Sequence, residues 1–318
     1  MKSGITLHFP VQPMADSNHR QTLQAEAAIG VLSAAGAFLI WGLNPIYFKV
    51  LRYVPALEIL THRVIWSFFC LLPFVLFLGR WNELVKVITT PRTLLILLGT
   101  TILISSNWFI FIWAINSDKI LQTSLGYYIA PLINILLGLI FLKERLRPAQ
   151  TAAVLLAFIS VIYLTIQIGM FPWISLFLAF TFGFYGLIRK VAPVNALVGL
   201  TVETLLLSFP AIAYLIYLDA AGAGAFLRIN VGTDLLLVSA ALVTALPLLL
   251  FTFGARRIHL ATLGILQYTA PSCTFFLAVF IYREPFKGAQ IWTFVLIWAA
   301  LIIYSVDSVL YYRRGVRG

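Results

Sequence analysis

The feature that most constrains this chain is a succession of ten apolar runs, each about as long as a helix needs to cross the hydrocarbon core of a bilayer. They cover residues 27–50, 57–79, 93–115, 120–142, 149–168, 170–189, 196–217, 234–254, 260–282 and 288–310. In lipid every backbone N–H and C=O must be satisfied within the segment, so runs of this kind fold as α-helices. Almost nothing is left over for a water-soluble domain. Of 318 residues 61% are hydrophobic and 10% charged, against about 25% charged in an average soluble chain. An ordinary soluble enzyme is therefore excluded. Pro55, Gly79-Arg80, Pro91, Arg147-Pro148, Pro193, Gly222 and Gly224 punctuate the runs. Each is a turn or helix-stop signal.

Residues 1–26 are mixed and polar, and we read them as a flexible cytoplasmic tail; 311–318 form a basic cytoplasmic tail. The net charge of +11 is not a nucleic-acid footprint, because the basic residues fall between the apolar runs. With the N-terminus inside, Lys49, Arg52, Lys119, Arg228, Arg283 and Lys287 lie outside, Arg63 lies within a helix, and all the other Lys and Arg lie inside. The positive-inside rule then puts both termini in the cytoplasm. Cys70 and Cys273 both sit in apolar runs, which supports neither a disulfide framework nor a metal cluster.

The chain also repeats itself. A shift of 140 residues brings Tyr128-Ile-Ala-Pro131 onto Tyr268-Thr-Ala-Pro271, Glu144 onto Glu284, and Arg63 onto Glu203; with one residue of slip Gly42, Lys49 and Val50 meet Gly183, Lys190 and Val191. The unit is five helices, 27–168 and 169–310. An odd number of spans forces consecutive copies to enter the membrane from opposite sides. The expected fold is an all-α integral membrane protein of ten transmembrane helices in two inverted five-helix repeats, an arrangement suited to alternating access.

Phe38-Leu-Ile-Trp-Gly42, Glu58-Ile-Leu-Thr-His-Arg-Val-Ile-Trp-Ser67, Asn107-Trp108 and Gly126-Tyr-Tyr-Ile-Ala-Pro-Leu-Ile-Asn134 carry a family resemblance. From Ala27 to Arg314 the chain resembles the drug/metabolite transporter superfamily and, within it, the EamA-type permeases of the RarD (chloramphenicol-sensitive) branch. The resemblance implies a bacterial inner-membrane carrier whose central cavity is lined by helices 1, 3, 4, 6, 8 and 9. Members of the family move small metabolites such as amino acids or amines, commonly outward.

Several residues could carry transport. Arg63 and His62 lie inside the second run, where a charge is costly and normally has a partner. Arg63 either holds an anionic group of the substrate or a gate, or it snorkels to the interface or pairs with Glu58. Glu203, flanked by apolar residues, is with His62 the candidate for proton coupling; a structural hydrogen bond to a neighbouring helix is the alternative. Trp41, Asn44 and Tyr47 recur every three residues on the first helix, Asn107 and Trp108 fall in the third, Tyr127, Tyr128 and Asn134 in the fourth, Tyr185 in the sixth, and Gln267 and Tyr268 in the ninth. Amides within spans need partners, which a substrate cavity could supply, and aromatic faces hold flat rings or cations. Single polar residues can equally join helices, and Trp and Tyr also form interfacial belts.

Pro45, Pro131, Pro247 and Pro271 interrupt helices, and Pro131 and Pro271 match in the repeat as gate hinges or fixed kinks. Asp118-Lys119 and Lys143-Glu144-Arg145 read as solvated loop charges, and Asp307 as interfacial. Ala152, Ala153, Ala157, Ala299 and Ala300 would permit close packing within a chain or in a homodimer.

No phosphate-binding loop and no H-E-x-x-H metal motif is present, and His occurs four times. The sequence thus points to a gradient-driven carrier of small polar or aromatic metabolites or drugs. It implies no cofactor and no metal, with the lipid bilayer and a small-molecule substrate as partners. A channel or a non-transporting membrane partner protein is the competing reading.

Overall fold

The computed structural model describes residues 14–117, 119–169, 171–283 and 288–317. The chain forms α1 (Met14–Val50), α2 (Ala56–Phe77), α3 (Trp81–Thr89), α4 (Pro91–Asn116), α5 (Ile120–Phe141), α6 (Pro148–Ile168), α7 (Trp173–Val191), α8 (Ala196–Ala220), α9 (Val231–Ala255), α10 (Leu260–Gln267), α11 (Thr269–Phe276) with a π-helical turn at Leu277–Ile281, and α12 (Gly288–Arg317). Ten segments are long and apolar enough to cross a membrane; α3 is not among them, and α10 and α11 form one span.

Local chemistry sets the boundaries. Pro91 and Pro148 open α4 and α6, where the missing N–H is not needed. Asn195 and Asn230 cap α8 and α9 by accepting from Leu197 N (2.9 Å) and Thr233 N (2.8 Å). Gly169 ends α6 in the left-handed region at φ 71°, a conformation that favours glycine.

Three features depart from the expectations. The stretch 14–26 is the start of α1 rather than a flexible tail, because its Ala, Gln, Glu and Arg are good helix formers with no Pro or Gly among them; residues 1–13 and the expected match at Glu284 lie outside the described residues. The 81–89 connection is a short amphipathic helix. Its Leu84 and Val87 are buried with Leu97, Val198 and Val202, at the i, i+3 spacing of one helix face. The ninth span is broken at Tyr268, just before Pro271, and Pro73 and Pro210 also lie inside helices.

α1 packs on α9 and α11, α2 on α8 and α9, α4 on α7 and α8, α5 on α7 and α10, and α6 on α12. Small residues allow the closest crossings. A Cβ added at Gly264 would lie 2.5 Å from the Pro131 carbonyl oxygen, and one at Gly42 would lie 2.6 Å from Cys273 Cβ. Ala153, Ala157 and Ala300 are buried where α6 meets α12, so most of the expected small-residue stripe is used within the chain. Large apolar side chains such as Leu32, Phe77 and Ile166 point outward and are exposed, as a surface solvated by lipid requires.

The two ends of the bundle are held differently. At the end that bears the start of α1 and the end of α12, Arg257 pairs with Glu26 (2.7 Å) and Arg147 with Asp307 (2.5 Å). At the opposite end Tyr53 bonds Thr233 (2.9 Å) and the Lys49 ammonium lies over the Tyr282 ring. We call these the terminal end and the distal end.

Candidate functional site

The sequence-predicted residues fall into separate groups rather than around one cavity. In the half toward the distal end, Arg63 of α2 donates through Nε to Thr244 Oγ1 of α9 (2.8 Å). Its guanidinium carbon lies 5.2 Å from the centre of the Phe48 ring and 5.5 Å from that of Trp108. Tyr47 and Tyr127 are close enough to interact with it electrostatically, and the Tyr47 hydroxyl is fixed by donating to the Leu236 carbonyl. Arg63 makes no ion pair with a carboxylate among the described residues. The expected alternative, a bond to Glu58, does not form: Glu58 Oε1 instead accepts from Ala225 N (2.7 Å) and Phe226 N (3.1 Å).

A second group ties the middle of the bundle together. Asn134 Nδ2 of α5 donates to Gln267 Oε1 of α10 (2.6 Å), and the Tyr268 hydroxyl donates to the Tyr128 carbonyl (3.1 Å). Both bonds lie at the α5–α10 crossing beside Pro131 and Gly264. Asn107 donates to the Leu178 carbonyl (2.8 Å) and Thr181 Oγ1 (2.9 Å), joining α4 to α7. These amides therefore hold helices together in this conformation. Asn44 is half-buried on α1 between Trp41 and Tyr47.

The third group surrounds Glu203. Its carboxylate accepts from Thr100 Oγ1 (2.6 Å) and from the Tyr185 hydroxyl (3.3 Å) and lies 3.6 Å from Arg189 Nε. Glu203, Arg189 and Tyr185 are fully buried. Glu203 is thus partnered on both oxygens rather than isolated. Trp41 sits beside this group in an aromatic core, its ring 5.7 Å from each of Phe38, Phe182 and Phe251.

Sequence reasoning missed Arg189, which reads as a cytoplasmic topology charge. It is instead buried and packed so tightly on α8 that a Cβ at Gly199 would lie 2.0 Å from its Nη1. Lys190 is likewise turned inward, donating to the carbonyls of Ala255 and Ile258. The signal was the single Gly199 facing a basic pair across a short turn.

Glu144 corrects a further expectation. It is not a solvated loop charge: its carboxylate accepts from Leu260 N (2.7 Å) and Ala261 N (2.9 Å) at the start of α10, with His259 Nδ1 3.6 Å away. Burial alone would raise its pKa, but the neighbouring His259 imidazole and the hydrogen bonds from Ala261 and Leu260 together hold it below the ordinary carboxylate value. The neighbouring Glu144 carboxylate in turn raises the His259 pKa.

Two cavities mark the ends. The distal one, of 510 Å³, is lined by Glu58, His62, Leu218, Gly224, Phe226 and Arg228 among others. The terminal one, of 430 Å³, is lined mainly by charge: Lys143, Glu144, Arg145, Lys190, Arg256, Arg257 and His259. Among the described residues no group of three or more His, Cys, Asp and Glu side chains could hold a metal ion.

Ten spans with buried charges between them define a multi-pass helical membrane protein of transporter type, and comparison with known proteins gives it a family. The chain belongs to the EamA-like transporter family, whose model matches residues 28–166. It is 49% identical to an uncharacterized transporter of Vibrio cholerae over 90% of this chain and 94% of that one. It is 44% identical to Protein RarD of Escherichia coli, covering 90% and 96% of the two chains. The chloramphenicol-sensitive protein RarD of Pseudomonas aeruginosa is 31% identical over 91% and 97%. A solved crystal structure superposes with a TM-score of 0.67 at 18% identity, covering 87% of this chain and 97% of that one. The family and the Vibrio cholerae relative are both described as transporters.

Proposed function

We propose that the chain is a secondary carrier that exports small solutes across the bacterial inner membrane by alternating access, coupled to protons. Both termini face the cytoplasm in this reading, so the terminal end is inner and the distal end outer. The inverted repeat is supported by the packing. Exchanging α1, α2, α4, α5 and α6 for α7, α8, α9, α10 with α11, and α12 carries the main packed pairs named above onto one another. Pro131 and Pro271 occupy matched places beside the central crossing, where hinges would act.

The observation that carries the substrate reading is the contrast between Arg63 and Glu203, which match in the repeat. Glu203 bonds Thr100 across the bundle and has Arg189 as its counter-charge. Arg63 bonds Thr244 in the equivalent way, but the position that matches Arg189 is Phe48, a phenyl ring. Among the described residues the inner carboxylate has a cation and the outer guanidinium has no anion. A half-buried guanidinium walled by Phe48 and Trp108 suits the anionic group of a substrate with a flat apolar body. Tyr47, Tyr127 and Asn44 complete that site. Trp41, Asn107, Tyr128, Asn134, Tyr185, Gln267 and Tyr268 line the path that opens when the helix contacts rearrange.

Counterflow in proteoliposomes tests this with three phenyl-bearing probes that differ in charge: N-acetylphenylalanine, phenylalanine and phenethylamine. Saturable exchange of the two carboxylates and not of the amine is expected. Arg63→Met should reduce it about 30-fold or more, the scale for loss of a buried charge contact. Exchange of the amine alone would overturn the charge assignment, and a flat response to all three would favour a channel or partner protein.

A further inference from the structure

On α2, one turn from each other, Glu58 and His62 are 1% and 2% exposed. Glu58 spends one oxygen, Oε1, on the backbone N–H groups of Ala225 and Phe226, and so fastens the 221–230 segment over the distal end of α2. Its other oxygen, Oε2, is buried with no hydrogen-bond partner. His62 Nδ1 accepts from Trp66 Nε1 (3.1 Å). An indole N–H can only donate, so Nδ1 carries the lone pair and a neutral imidazole keeps its hydrogen on Nε2. That Nε2 is also buried without a partner.

A buried acceptor and a buried donor therefore stand unmatched one turn apart on the same helix, both on residues that line the distal cavity. Unmatched polar atoms at such depth call for a specific cause. The surrounding charges are already used. Asp219 of α8 pairs with Arg228 (2.6 Å), Asp234 of α9 accepts from Leu227 N (2.7 Å), and Arg63 of α2 is turned to Thr244. Tyr214 on α8 is near Glu58 and adds only a hydroxyl.

We infer that Glu58 and His62 form the proton-exchange site of the carrier, and that proton binding there releases the 221–230 segment. A hydronium ion from the distal side breaks one O–H bond as its proton forms an O–H bond at Glu58 Oε2, leaving a neutral water. The His62 Nε2–H, through one water, stabilises the deprotonated carboxylate. Once neutral, the carboxyl is a weaker acceptor at Oε1 for Ala225 and Phe226, and the segment loosens from α2. Loss of the proton fastens it again. Glu203, with both oxygens engaged, is not the exchanging group.

This rests on the carrier reading, and two readouts keep the two apart. The first needs no substrate: in infrared difference spectra of the reconstituted full chain between acid and neutral pH, a protonated-carboxyl C=O band should vanish in Glu58→Gln and persist in Glu203→Gln. The second uses phenylalanine. In Glu58→Gln, accumulation driven by a pH gradient should fall about tenfold more than counterflow does, within the usual range for coupling between two sites. His62→Phe, which keeps the stacking on Phe226 and the Glu58 clasp, should move the pH midpoint of accumulation upward. A band unchanged by Glu58→Gln, gradient-driven accumulation preserved relative to counterflow, or an unmoved midpoint in His62→Phe overturns the inference. Absence of counterflow in the wild type with the band still lost in Glu58→Gln overturns the carrier reading and leaves the proton site standing.

Discussion

At the scale of single residues, the chain handles buried charge in two contrasting ways. Arg189 and Glu203 are each other's counter-charge in the interior, 3.6 Å apart, where removing one partner of such a pair costs about 3–5 kcal/mol because the other is left uncompensated. Glu203→Gln should therefore lower the thermal stability of the detergent-purified protein strongly, and Gly199→Ala should do so by pushing the guanidinium off its seat. Unchanged unfolding temperatures in both variants would contradict the locked pair. Arg63 was legible as an intramembrane charge from its neighbours in sequence. That no described carboxylate pairs with it was not, because nothing local distinguishes a partner at nearby Glu58 from a backbone clasp contributed by Ala225 and Phe226, more than 160 residues later.

At the scale of elements, the spans were readable from length and hydropathy alone, since lipid leaves the backbone no alternative to helix. The pieces that were not readable are those fixed by tertiary contact: α3, whose short apolar face needs α4 and α8 to bury it, and the break of the ninth span at Tyr268. The Glu144 clasp on α10 belongs to the same class. Its two titrating groups predict how firmly it holds. Glu144, with its pKa held below the ordinary 4.5, contributes stability that is present above that value and lost as pH falls through its folded pKa. His259, raised above 6.5, contributes below that value and loses its contribution as pH rises through its folded pKa. The clasp is thus firmest between these values. Melting curves against pH should show the difference between wild type and Glu144→Gln largest in that window and shrinking in acid. His259 is mostly exposed, so His259→Ala should have the smaller effect.

At the scale of the whole molecule, alternating access requires that one end open while the other stays shut, and each end of this bundle is closed by a carboxylate on backbone N–H groups. Glu144 holds α10 at the terminal end, and Glu58 holds the 221–230 segment at the distal end. The proposed orientation is checked by labelling introduced cysteines in intact cells. Arg228→Cys should react with an impermeant maleimide from outside, and His259→Cys only after the membrane is opened. The reverse pattern would invert the transport direction assigned to every residue above.

The terminal cavity then acquires a second meaning. Lys143, Arg145, Lys190, Arg256 and Arg257 surround a single carboxylate, Glu144, and in the proposed orientation they do more than set topology. A concave patch of one sign draws in and concentrates ions of the other, with a strength that falls as salt screens it. Such a vestibule would act as a capture antenna for anions arriving from the cell interior. Entry from that side would then be sensitive to ionic strength, while release past Arg63 at the far end would not.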